Sequence, residues 1–99
     1  MPGRRRCRRV GSAPAFTSFG PFGPCNPGHP GPGETILTVD EFEAIRLKDL
    51  EGLDQAECAA MMEISQPTFH RLVTSARKKI ADALTHGKTI KIEGGHYRF

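Results

Sequence analysis

Apolar residues first fall into a helical rhythm at Thr38. Thr38-Val39-Asp40-Glu41 has the form of a capping box, in which the threonine hydroxyl accepts the Glu41 backbone N–H and the Glu41 carboxylate reaches back. Val39, Phe42, Ile45, Leu47 and Leu50 then recur near helical spacing, with Asp40, Glu41, Glu43, Arg46 and Lys48 expected to face out. Gly52 supplies a left-handed terminus, so this first helix is predicted over Val39–Glu51. Asp54, with Glu57 three residues on, starts a second, short helix over Gln55–Met62. Its Ala56, Ala59 and Ala60 suit a close crossing by another helix. Glu63-Ile64-Ser65 interrupts the pattern, and Ser65 caps a third helix whose first turn holds Pro67. Phe69, Leu72, Val73, Ala76, Ile80, Ala83 and Leu84 recur at three-four spacing as its buried face, with Gly87 as the stop.

After Gly87 the period changes to two. Ile90 and Ile92 alternate with Thr89 and Lys91, Gly94-Gly95 is a hairpin signal, and Tyr97 and Phe99 alternate again. A free two-stranded hairpin is marginal, so this tail is expected to pack on the helices or to pair with Glu34–Leu37. Before Glu34 there is no periodic apolar face and much proline and glycine, so residues 1–33 are expected as a flexible arm. The fold class is therefore mainly α, a three-helix domain over residues 34–99 with a C-terminal β-hairpin and a basic N-terminal arm.

Composition sharpens this picture through charge. The overall charge is only +3, but residues 1–33 carry +5, residues 34–63 carry −7 and residues 64–99 carry +5. Two basic segments flank an acidic one, a layout suited to a polyanion. No apolar run is long enough for a membrane span, and no hydrophobic signal core follows Arg9, so a cytoplasmic protein without a membrane partner is expected. Three cysteines at irregular spacing argue for reduced thiols over a disulfide scaffold.

A short helix, a three-residue turn and a longer helix form the pattern of a helix-turn-helix. Glu63 stands where a left-handed backbone is expected, at a cost on the order of 1 kcal/mol. No acid lies between Ser65 and Ala81. At 100° per residue the face opposite Phe69 carries Pro67, His70, Arg71, Thr74 and Lys78, with Gln66, Arg77 and Lys79 at its margins. Gln66, Thr68, His70 and Arg71 are the candidates for base edges in the major groove, and Thr74, Arg77, Lys78 and Lys79 for phosphate. Arg4, Arg5 and Arg6 are candidates for an arm that tracks the duplex. This points to sequence-specific binding of double-stranded DNA and regulation of transcription. A homodimer would meet two half-sites about 34 Å apart.

The run Leu37-Thr38-Val39-Asp40-Glu41-Phe42-Glu43-Ala44-Ile45-Arg46-Leu47-Lys48-Asp49-Leu50-Glu51-Gly52-Leu53 resembles the UPF-0251 family. So do Gln55-Ala56-Glu57-Cys58-Ala59, Ala76-Arg77-Lys78-Lys79-Ile80-Ala81, Ile92-Glu93-Gly94-Gly95 and Arg5-Arg6-Cys7-Arg8-Arg9-Val10. The resemblance implies a helix-turn-helix similar to region four of bacterial sigma factors, and DNA binding on that basis. The chain departs from the family pattern at Glu63, where a glycine is usual, and in having no cysteine between Cys7 and Cys25.

Two other functions are open on the residues. The same fold serves as a protein-docking module, here for the transcription machinery. Cys7, Cys25 and His29 are also candidate ligands for a metal ion, or redox-responsive groups, although a structural zinc takes four ligands. No other cofactor is expected. His70, His86 and His96 lack a neighbouring nucleophile or paired carboxylate in sequence, so the chain is not expected to be an enzyme. Cys58 reads as a small buried apolar residue.

Overall fold

Each helix starts where its capping residue stands. In the computed structural model, which describes residues 7–22 and 33–99, the Thr38 hydroxyl accepts the Glu41 N–H at 3.3 Å and Glu41 accepts the Thr38 N–H at 2.9 Å. This box opens α1 (Val39–Ile45). Asp54 accepts the Glu57 N–H at 2.8 Å and opens α2 (Gln55–Met62). Ser65 accepts the Thr68 N–H at 3.3 Å and opens α3 (Gln66–His86), which Gly87 closes with φ 67°. Between α2 and α3 Glu63 takes φ 58° and ψ 45°, the left-handed geometry expected of the turn.

The first helix changes winding before it ends. After α1 the residues Arg46–Leu50 form a π-helical turn, with the Glu51 N–H donating to Arg46 O at 2.9 Å. Leu47 lies in the core, while Leu50, expected on the buried stripe, is 76% exposed. Leu84 also departs from its expected face and is 79% exposed, while its neighbour Ala83 is the buried residue of that turn.

Five short strands complete the fold: β1 (Arg8–Arg9), β2 (Ser18–Phe19), β3 (Glu34–Leu37), β4 (Thr89–Ile92) and β5 (Tyr97–Arg98). β4 is central in a three-stranded sheet, parallel to β3 with Thr35 opposite Ile90, and antiparallel to β2 with Phe19 opposite Ile90. The expected pairing of the tail with Glu34–Leu37 therefore forms. The hairpin does not: β5 pairs instead with β1, in parallel. Both edges of β4 are already occupied, and the Gly94 carbonyl is taken by the Val39 N–H at 3.0 Å. The two glycines still bend the chain (φ 75° and 100°), but they lead it to a different partner. At Gly95 a side chain would collide with Thr38 and Asp40.

Residues 7–22 are thus docked rather than forming part of a free arm. Val10 is fully buried with Leu37, Val39, Ala76 and Ile92 between the strands and the helices. A second cluster, Ala44, Leu47, Cys58, Ala59, Met62, Phe69 and Val73, joins the three helices. Cys58 lies within it as expected, and burial pushes its thiol pKa up.

The acids of α1 are the main surprise: Asp40, Glu41 and Glu43 were expected outside and are buried. Each has cationic or hydrogen-bonding partners that offset its desolvation. Glu43 binds Arg46 through two hydrogen bonds of 2.7 and 2.8 Å and accepts the Gly11 N–H at 2.9 Å. Glu41 meets Lys79 Nζ at 2.7 Å and the Ser75 hydroxyl at 2.5 Å. Burial raises its pKa, but the hydrogen bonds from Lys79, Ser75 and Thr38 outweigh burial and hold it below the ordinary value. Asp40 Oδ2 lies 3.7 Å from Arg8, and Oδ1 has no hydrogen-bond partner among the described residues.

These pairs set the response to acid. Asp82 is held at about 2 by Lys88 and His86, and Asp49 is lowered by Arg77. A carboxylate with a lowered folded pKa stabilises the fold above its unfolded value, near about pH 4, and loses that contribution as pH falls through the folded value. Urea midpoints are therefore expected to stay level from about pH 7 to 5 and to fall from about pH 4 towards 2. Asp82→Asn should flatten the lowest part of that fall; an unchanged acid limb would show that the Asp82 pairs do not couple to folding.

Candidate nucleic-acid interface

The start of α3 is organised by its own polar side chains. Ser65 Oγ donates to Thr68 Oγ1 at 2.9 Å, and Arg71 reaches the same oxygen at 3.4 Å. Gln55, at the start of α2, donates to the Gln66 carbonyl at 3.3 Å and links the two helices on the outside. Inside, Ala59 allows close approach, and the half-buried Ile64 packs against the cluster around Phe69.

From this base α3 presents an exposed line. Gln66, His70, Arg71, Thr74 and Lys78 are all exposed, and Thr68 is half-buried beneath the Ser65 and Arg71 contacts. Arg71 and Lys78 stand two turns apart, a rise of about 10 Å. Neither makes an ion pair among the described residues, so their charge faces outwards.

The other two basic residues of α3 have structural partners. Arg77 forms a two-pronged pair with Asp49, at 2.6 and 3.0 Å, which raises the guanidinium pKa and lowers that of the carboxylate. Lys79 is the cation over buried Glu41. The two pairs hold α3 to the first helical segment from both sides, leaving Arg71 and Lys78 between them. Of the expected phosphate-facing set, Thr74 and Lys78 are thus the members without an acidic partner among the described residues. The excess of acid in residues 34–63 against base in residues 64–99 was the signal for these pairs, although their partners could be assigned only with the fold in hand.

Arg4, Arg5, Arg6, Cys25 and His29 lie outside the described residues. Cys7 is exposed, and no group of three or more potential metal-ligating side chains occurs among the described residues. Nor is any helix among them long and apolar enough to cross a membrane. The pairing of β1 with β5 brings Arg9 beside Arg98, a juxtaposition that no local pattern in the sequence signals.

A family model described as "Protein of unknown function DUF134" matches residues 1–99, and the chain belongs to this family, that of the UPF0251 proteins. It is 57% identical over 98 residues to a UPF0251 protein of Thermoanaerobacter pseudethanolicus, covering 99% of this chain and 80% of the relative. Identity rises to 69% with a UPF0251 protein of Caldanaerobacter subterraneus, over 65 residues that cover 66% of this chain and 55% of the relative. A UPF0251 protein of Pelotomaculum thermopropionicum is 48% identical over 98 residues, covering 99% of this chain and 72% of the relative. No solved structure matches the chain.

Proposed function

We propose that the protein binds duplex DNA, with α2, the Glu63-Ile64-Ser65 turn and α3 acting as a helix-turn-helix, and that it regulates transcription by a binding rather than a catalytic role. The observation that carries this reading is the exposed face of α3 from Gln66 to Lys78, which holds no acid and where Arg71 and Lys78 have no ion-pair partner among the described residues, while Arg77 and Lys79 are held by acids of the first helical segment. A helix of this kind fits the major groove, about 12 Å wide, with its first turns at the base edges. Gln66, His70 and Arg71 then face bases, Arg71 with the fork that suits guanine, while Thr74 and Lys78 face phosphate. The buried acids lie behind α3, where their ion pairs reduce their repulsion of the duplex. A second copy would place a second such helix in the next half-site.

The test is fluorescence anisotropy of a labelled mixed-sequence duplex across a salt series. Wild type is expected to bind with log affinity falling by about 0.9 per phosphate contacted for each unit of log salt. Arg71→Ala/Lys78→Ala should bind more weakly and with a shallower slope. Wild type that fails to bind even at low salt would overturn the reading in favour of a surface that docks a protein of the transcription machinery.

A further inference from the structure

Two strands distant in sequence build a second basic surface beside the turn that leads into α3. Their parallel register sets Arg8 opposite Tyr97 and Arg9 opposite Arg98. Side chains alternate across a strand, so these two pairs point to opposite faces. The Arg8–Tyr97 face turns inwards: Arg8 lies 3.7 Å from the buried Asp40, and Tyr97 packs against the cluster that contains Val10. The other face turns outwards, with Arg9 and Arg98 exposed and Cys7 and His96 continuing it, also exposed. Residues 7–10 and 96–99 contain no carboxylate side chain themselves, and the acid that meets this face is Glu63, paired with Arg98.

The position of this small sheet is fixed from two sides. Arg98 binds Glu63, the residue that turns the chain from α2 into α3. Arg8 lies against Asp40, and the next residue, Glu41, grips Ser75 and Lys79 of α3. On the α3 wheel Thr68, Ser75 and Lys79 share one flank, and Arg71 comes next towards the exposed face. The sheet itself lies against α2, at the turn that leads into the first residues of α3.

We propose that the outward face of β1 and β5, through Arg9 and Arg98, is a second contact surface for duplex DNA and grips backbone phosphate beside the groove that receives α3. The proposal rests on the DNA-binding reading and extends it to residues outside the helices. The guanidinium group suits the task because its five donors are arranged in a fork that matches phosphate oxygens. Arg98 can keep one donor on Glu63 and offer others outwards, so its ion pair orients the side chain. Contacts of this kind carry no base information, so they add affinity equally on every sequence.

The experiment is the same anisotropy salt series on the full chain, with Arg9→Ala/Arg98→Ala and Arg9→Lys/Arg98→Lys beside wild type, and a thermal melt of each. The alanine pair is expected to lower the salt slope by about 2 and weaken low-salt binding about tenfold or more on any duplex. The lysine pair should keep the slope, because charge is conserved. If wild type binds and the alanine pair retains the wild-type slope, the sheet is not a phosphate contact, while the role of α3 stands. An equal loss in the alanine and lysine pairs would also overturn the proposal, since it would trace the effect to packing and not to charge. Wild type without any duplex affinity would overturn the DNA-binding reading itself, and the exposed arginines would then point to an acidic protein partner.

Discussion

Arg46→Met is expected to destabilise the protein by about 3–5 kcal/mol, among the largest effects of a single substitution in this chain. Its partner Glu43 is only 2% exposed, and the two hydrogen bonds from Arg46 supply its cationic compensation. Removing the guanidinium leaves a carboxylate that must be either ionised without its cation or protonated. It also weakens the anchor of the N-terminal segment, because Glu43 holds the Gly11 N–H. In a domain whose total stability is of order 5–15 kcal/mol, such a loss brings the unfolding midpoint close to ambient conditions. Urea denaturation measures it. The double variant Glu43→Gln/Arg46→Met should recover much of the loss, because a neutral amide still accepts from Gly11 and neither member of this pair leaves a charge buried. A single variant within about 1 kcal/mol of wild type would show that Glu43 is reached by solvent.

Phe69→Ala should cost about 3–5 kcal/mol, by lost transfer energy and by the cavity left among α1, α2 and α3. Phe69 is fully buried at the centre of that cluster, against Ala59 and Met62 on one helix and Leu47 on another. The effect should extend to function, because Phe69 sits on the first turn of α3 and fixes the inclination at which Arg71 and Lys78 are presented. Leu84→Ala is the contrast. Leu84 shares the helical period of Phe69 but is largely exposed, so its truncation should stay within about 0.5 kcal/mol. Thermal melts of the two variants side by side give the comparison. Equal losses would contradict the described burial of α3.

The helices were legible because their signals are local. Thr38, Asp54 and Ser65 cap the starts they mark, Gly87 closes α3, and Glu63 adopts the left-handed turn expected of it. Each of these depends on a few neighbouring residues, and so does the exposed line from Gln66 to Lys78. What the sequence did not disclose depends on partners far along the chain. Asp40, Glu41 and Glu43 look like a solvated acidic face until Arg8, Lys79 and Gly11 are brought to them. The Gly94-Gly95 bend was visible, but its outcome was not, because a turn signal does not reveal that both edges of the preceding strand are occupied. The docking of β1 and Val10 leaves no signal in the sequence for a related reason. Val10 is a single apolar residue in an irregular stretch, and its burial follows from a β-pairing that leaves no periodic trace.

That pairing has a consequence for the order in which the molecule assembles. Arg8 and Tyr97 are about ninety residues apart, and closing a loop of that length from an open chain costs on the order of 4 kcal/mol, against the return of a few hydrogen bonds. The two strands are therefore poor places to begin. The three helices, linked by short turns, close first on near-neighbour contacts and shorten the effective distance between the segments that carry β1 and β5. During that interval Glu43 already has Arg46, three residues away, as its counter-ion, so the carboxylate does not wait unpaired for the late arrival of Gly11. The exposed arginine pair on the outer face of the sheet is then among the last features of the surface to form.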